Sequence, residues 1–282
     1  MSLRLLISIC AVLVSAGCST VVVDRAQGVA DTGTKYVETM KKVNDLALDK
    51  SITFTATLLA RDVPRNDAVL QQTTDAIQER SKLVGSAAAY FDGLATYFAE
   101  LEALAKGDQS TATSDALGKV ADSLKAEPFG LTLSDDKKKA LTGLAGFVAK
   151  QVHAAAVEKA LTRDADTVAQ ALALSTQMLD EQIRWINVRE AASRKKAFED
   201  NVRKPFLTPG KELGDDWKKA WSDYVRTPPV IALLGEAKKA SDDMQKAWRN
   251  VLRGEYSFAE IQASLNNVKA GIEALAALKE AK

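Results

Sequence analysis

Residues able to do chemistry are sparse in this chain. It carries one histidine, His153, beside Val152 on an alanine-rich stretch. A histidine acting as a general base needs a group that orients its ring. Ala156 and Val157 occupy the i+3 and i+4 positions where such a group would stand, so the expectation is a boundary histidine on a bundle helix. Adjacent acids occur at Asp135-Asp136, Asp215-Asp216 and Asp242-Asp243, and two carboxylates can act as acid and base across a sugar bond. Neighbours on a helix point about 100° apart, however. The first two pairs open expected helices, where acids favour the positive end of the dipole, and the third falls on a solvated face. Neither dinucleotide-binding nor P-loop glycine spacing is present, and Gly143-x-x-Gly146 reads as a close helix contact. No Glu-x-x-His or His-Glu-x-x-His occurs, so neither di-iron nor zincin chemistry is signalled. No catalytic residue, metal ligand or cofactor is therefore assigned.

Two segments stand apart from this background. In Trp217-Lys218-Lys219-Ala220-Trp221-Ser222-Asp223-Tyr224-Val225, the spacing puts Trp217, Trp221 and Tyr224 on one face of a short helix between proline breaks. Such a face suits a protein partner. It also suits a membrane surface, with Lys218 and Lys219 at lipid phosphates, or closure of one end of a bundle. The densest basic stretch is Arg194-Lys195-Lys196 followed by Arg203-Lys204. Cations are favoured at the negative end of a helix, and anionic lipid or glycan is the alternative contact.

The elements that must position these groups begin with a targeting segment. Arg4 forms a minimal positive region and Leu5 to Val14 an apolar run of secretory length. The run is shorter than the ~20 residues a spanning helix needs. It ends Ser15-Ala16-Gly17-Cys18, which resembles the lipobox of bacterial lipoproteins; in that family Leu, Val or Ile is preferred where Ser15 stands. The resemblance implies that Cys18 is diacylated and becomes the new N-terminus, tethering the chain to a membrane. In the lipoproteins of two-membrane bacteria an aspartate after the cysteine tends to retain the protein at the inner membrane. Ser19 at that place implies the outer membrane, facing the periplasm. Ordinary secretory cleavage after Ala16 is the other reading, and it leaves Cys18 as a free thiol.

The only other cysteine, Cys10, lies in the apolar run, so the body offers no disulfide or Cys-ligated metal. The chain has 38 Lys+Arg against 37 Asp+Glu, and removal of Arg4 with the signal makes the two equal. A neutral body argues against nucleic acid as a partner, which needs a basic excess. Six prolines and 6% aromatics beside frequent Ala, Leu, Lys, Glu and Asp predict an all-α fold, an elongated bundle of long antiparallel helices without β-sheet.

Residues 1–17 are then the signal peptide, 18–34 the lipid anchor and a short polar stretch that reads as a tether or as a frayed helical start, 35–202 a long-helix bundle, and 203–282 C-terminal helices packing on it. Tyr36, Met40, Val43, Ala47, Phe54 and Leu58 recur at helical steps up to Pro64. Asn66 or Asp67 caps a second helix, whose stripe runs Leu70, Thr73, Ile77, Arg80, Val84, Ala87, Phe91, Leu94, Phe98, Leu101 and Ala105, with Arg80 out of place. Gly85, Ala89 and Gly93 form a row that invites close helix approach or, alternatively, kinking at the glycines. Gly107 ends this helix. A shorter one follows over 114–126, then a turn at Glu127-Pro128-Phe129-Gly130 and a helix capped by Ser134. A loss of phase near Thr162 marks a boundary with a long helix over 164–201 with Val168, Leu172, Ser175, Leu179, Ile183 and Ile186 inward, and spacing leaves open whether the two form one rod or a hairpin. Residues 203–214, with Pro205, Pro209 and Gly210, read as a linker. Helices over 215–226 and 229–253 follow, and Ser257-Phe258-Ala259-Glu260 is a capping box for the last.

The function expected from this pattern is a non-enzymatic helical binding or scaffold protein, held to the envelope through Cys18 and engaging another envelope protein. A hydrolase whose carboxylates converge only in the fold is the alternative of another class. A membrane-active protein inserting Ala140 to Ala149 is a third.

Overall fold

The structure, a computed structural model, describes residues 3–61, 64–107, 115–116, 118–120, 153–226, 228–255 and helical positions between 259 and 273, with side chains from residue 21 onward. Among these residues there is no strand, and the fold is all-α. Helix α1 spans Leu3–Arg61 and α2 Asp67–Ala105. Helix α3 spans His153–Phe198 and continues through a π-helical turn, Glu199–Arg203, into α4, Lys204–Leu207. Helices α5, Asp215–Val225, and α6, Pro229–Leu252, follow, and the described positions between 259 and 273 are helical as well.

The four long helices run alternately up and down. Lys41 of α1 pairs with Asp92 of α2, and Gln27 donates to the Ala105 carbonyl at 3.2 Å, so these two are antiparallel. Helix α3 runs parallel to α1, because Gln182 donates to Asn44 while Ser175 lies level with Tyr36. Helix α6 returns beside both, with Arg25 donating to the Val251 carbonyl at 3.3 Å and Lys238 meeting Asp180 at 2.6 Å. Helix α1 packs on all three of the others.

The stripes read from periodicity form the core. Tyr36, Met40, Val43 and Ala47 interlock with Ala87, Phe91, Leu94, Phe98 and Leu101 of α2, Val168, Leu172, Leu179 and Ile186 of α3, and Leu234, Met244 and Trp248 of α6. Full burial of each large apolar side chain contributes ~1.5–3 kcal/mol. Hydroxyl links cross this core. The Tyr36 hydroxyl meets Ser241 Oγ at 2.8 Å, and Ser241 meets Thr176 at 2.8 Å. Tyr90 donates to the Ala171 carbonyl and contacts Ser175. Pairing these buried polar groups fixes the register of helices that apolar contacts alone would let slide.

Three expected boundaries are corrected. The segment 18–34 is not a polar tether: it belongs to α1, and Ala26, Val29, Ala30 and Thr32 are buried. Gly33 lets α2 come close, since a Cβ there would stand 2.6 Å from the Phe98 ring. The break near Thr162 does not exist, because Val157, Ala160, Leu161 and Val168 keep one face buried through it. The linker expected over 203–214 is helical to Leu207. Pro205 is accommodated because the preceding turn widens to π, Lys204 N bonding the Glu199 carbonyl, which relaxes the clash a proline makes with the carbonyl four residues back.

Asn66 caps α2 as expected, its side chain accepting from Val69 N at 2.9 Å, and Gly107 follows that helix at φ +102°. In the glycine row, Gly93 is buried against Val120, but Gly85 faces open space. The segment Ala140 to Ala149, Gly143, Gly146, the 127–130 turn, Ser134, Asp135, Asp136 and Ser257 lie outside the described residues.

Candidate functional site

Helix α5, like the short α4 before it, has no buried residue. It starts after Gly214, with Asp215 and Asp216 in its first turn, where acids suit the dipole. Its aromatic face docks only in part. The Trp217 indole donates to the Val202 carbonyl at 3.0 Å and stacks on Phe206 at 5.9 Å. Tyr224 stacks on Phe198 at 4.3 Å. Trp221, one turn between them, stays 48% exposed, and Phe206 and Leu207 are 62% and 59% exposed. Val225, one turn after Trp221, is 58% exposed as well. The sequence put Trp217, Trp221 and Tyr224 on one face. The fold divides them into two docking rings and one presented ring.

The basic residues divide likewise. Lys196 and Lys204 both hold Asp200, at 2.8 and 2.7 Å, and Arg203 holds Glu199 at 2.8 Å. The lysine contacts push the Asp200 carboxyl down to about 2. Arg194 donates to the Tyr224 and Arg226 carbonyls and lies 5.5 Å from the Tyr224 ring, pinning the C-terminus of α5 to α3. Lys218 and Lys219 meet Asp215 and Asp223 at 2.9 and 2.7 Å. The cluster that reads as a basic patch in the sequence is thus largely compensated by acids three or four residues away. Lys195 is exposed on the same helix.

This surface lies at the far end of the bundle from residue 18. Arg25 and Val251 meet at one end, whereas the buried stripe of α1 thins out beyond Ser51. From Cys18 to Ser51 the helix rises ~50 Å at 1.5 Å per residue. The upper half of α3, which carries α4 and α5, continues past that level, since Glu190 of α3 feels the charge of Lys50. Beyond the core, α1 and α2 project as a hairpin in which Ile52 and Leu70 are exposed.

At the base of that projection is a cluster the sequence reading missed. Arg80, marked only as an interruption of the α2 stripe, lies 4.3 Å from the centre of the Trp185 ring, and Arg189 lies 3.5 Å from it. The available signal was a lone arginine at a core position opposite a tryptophan followed four residues later by another arginine. Burial, and then the charge of Arg189, push the Arg80 guanidinium down to about 10.

The remaining acids do not assemble. Asp164 is fully buried but is forked by its neighbour Arg163, at 2.5 and 2.8 Å. Burial raises its carboxyl against the pull of Arg163. Asp243 pairs with Lys239 and Asp242 is exposed. Among the described residues no three His, Cys, Asp or Glu side chains gather as a metal site would, and no helix is long and apolar enough to cross a membrane. His153 is the first residue of α3. Comparison with protein-family models, with curated proteins and with solved structures finds no match.

Proposed function

We propose that this chain is an envelope lipoprotein, anchored through Cys18, that acts as a non-enzymatic helical scaffold and binds a protein partner at the end of the bundle remote from the anchor. One observation carries the reading: the largely unburied helix α5 presents Trp221 at 48% exposure, beside exposed Phe206, Leu207 and Val225, at that remote end. Large aromatics left in water on a docked element are typical of interface anchors, and a contiguous apolar patch on a soluble surface marks a contact site.

The position of the patch bears on which surface it meets. With Cys18 at a bilayer and α1 continuous and packed from Val22 upward, the bundle stands on the membrane without a slack leader. Helix α5 is then held ~50 Å or more above it. That distance disfavours the same membrane as the partner of Lys218 and Lys219, and both already hold acids.

In-cell crosslinking followed by purification of the lipidated protein tests the binding reading, with wild type compared to a Trp221→Ala, Phe206→Ala variant. Loss of one specific partner in the variant is expected, while equal recovery from both refutes the assigned surface. Labelling with a palmitate analogue tests the anchor separately, and signal that persists in Cys18→Ala removes it.

A further inference from the structure

Trp185 of α3 is approached by two guanidinium groups, Arg80 from α2 at 4.3 Å and Arg189 from the next turn of α3 at 3.5 Å. Their central carbons therefore lie within about 8 Å of each other, a reach that one oxyanion group spans. The Arg80 Nε is buried without a hydrogen-bond partner. Among the described residues no carboxylate pairs with either arginine. Of the acids closest along α3, Glu181 meets Arg184 at 2.9 Å and reaches Arg80 only through its charge, and Glu190 is drawn to Arg194 and Lys50. By contrast, Lys196, Arg203 and Lys219 each hold an acid four residues away.

Two like charges meeting at a half-buried ring repel each other, and the π face of the tryptophan offsets only part of that cost. Stacking uses the guanidinium face and leaves its edge N–H groups free, and that edge is the part that binds carboxylate or phosphate in bidentate fashion. Burial and then the charge of Arg189 depress the Arg80 guanidinium, and the charge of Glu181 offsets only part of that. Arg80 comes from the projecting hairpin and Arg189 from the arm that carries α5, so an anion held between them would tie the two arms together.

We infer that Arg80, Trp185 and Arg189 form a binding site for an oxyanion group, a carboxylate or phosphate borne by a ligand, at the junction of the α1–α2 hairpin and the upper half of α3. Phosphate and dicarboxylates share the recognised chemistry and differ in charge and shape, so direct comparison identifies the preferred source.

The test is calorimetric titration of the full mature chain, in a chloride background, with inorganic phosphate and separately with succinate. Saturable binding of at least one anion is expected. It should weaken at least tenfold in Arg80→Met and in Arg189→Met and stay unchanged in Arg184→Met, an exposed arginine on the same helix. Tighter phosphate binding would assign a phosphate ester, and tighter succinate binding an acidic group. No saturable heat with either anion, or equal binding in all three variants, overturns the site and leaves a purely structural stack. Should Arg80→Met lose its helical signal, the wild-type Trp185 indole resonance, identified by its absence in Trp185→Phe, supplies the readout. It should move in proportion to occupancy, and a resonance indifferent to both anions overturns the proposal.

Discussion

Replacing Gly33 with alanine should destabilise the protein, although the same change in an open helix stabilises it. Gly33 lies on α1 within the stretch that the sequence alone assigns to a tether. A Cβ there would stand 2.6 Å from Cγ, Cδ1 and Cδ2 of Phe98, about 1 Å inside the ~3.5–4.0 Å at which carbons rest in contact. Phe98 is fully buried, with Tyr97 and Trp248 packed against it at 5.5 and 6.4 Å, so its ring cannot step aside alone. Overpacking of this kind costs ~1–3 kcal/mol, while replacing a mid-helix glycine with alanine returns ~1 kcal/mol. At Gly85 nothing lies within 4 Å of the added carbon, so only the favourable term operates.

Helix propensity is common to both sites. The two variants should therefore differ by the overpacking cost, ~1–3 kcal/mol, with Gly33→Ala below wild type or level with it and Gly85→Ala above. Urea unfolding followed by circular dichroism measures this, provided the denaturant slope is unchanged. Adding Phe98→Leu should recover part of the Gly33→Ala deficit by shrinking the opposing side chain. Equal stability of the Gly33→Ala and Gly85→Ala proteins would refute the packing of this stretch and return it to a flexible leader. The scaffold reading would change with it, because the distance between anchor and aromatic surface is fixed only if this part of α1 is part of the bundle.

Other outcomes follow from single contacts. Trp248→Ala should cost ~3–5 kcal/mol, because removing a fully buried indole that donates to the Ala165 carbonyl at 3.0 Å leaves a void and loses that hydrogen bond; Trp248→Phe should cost clearly less in the same unfolding assay. Tyr36→Phe should lose ~1 kcal/mol with the hydrogen bond to Ser241, and a neutral effect would show that the hydroxyl links do not hold the register. Carboxyl resonances should show Asp200 titrating at about 2, below its ordinary 3.8, and rising toward that value in Lys196→Met. Because the folded value is depressed, the contribution of these ion pairs to stability is complete above the ordinary value and is lost as pH falls toward about 2. A wild-type Asp200 midpoint near 3.8 would remove the pairing.

Helical class and the inward faces were legible because a helix repeats every 3.6 residues and an apolar stripe at that period has one use in water, to be covered. Tyr36, Met40, Val43, Phe91, Leu94, Leu172 and Leu179 could be named as core from spacing alone, and the core contains them. Caps such as Asn66 are equally local, one side chain meeting one backbone donor within a turn. The grouping of Trp217, Trp221 and Tyr224 was legible for the same reason.

What the sequence could not supply was the partner of each face. The stretch before residue 35 looked like a leader because it is polar and contains Gly28 and Gly33, yet Gly33 is what admits Phe98 from another helix. Pro205 looked like a break, but a π turn in the preceding residues lets the helix pass it. Lys196 and Lys204 read as a positive patch until the turn geometry set both on Asp200. Arg80 looked like an error in a stripe, and only the approach of α2 to α3 brings it over Trp185 beside Arg189. Spacing along one helix determines which residues share a face; which face meets which, and therefore which charges are neutralised and which aromatics remain in water, is decided by packing between segments distant in the chain.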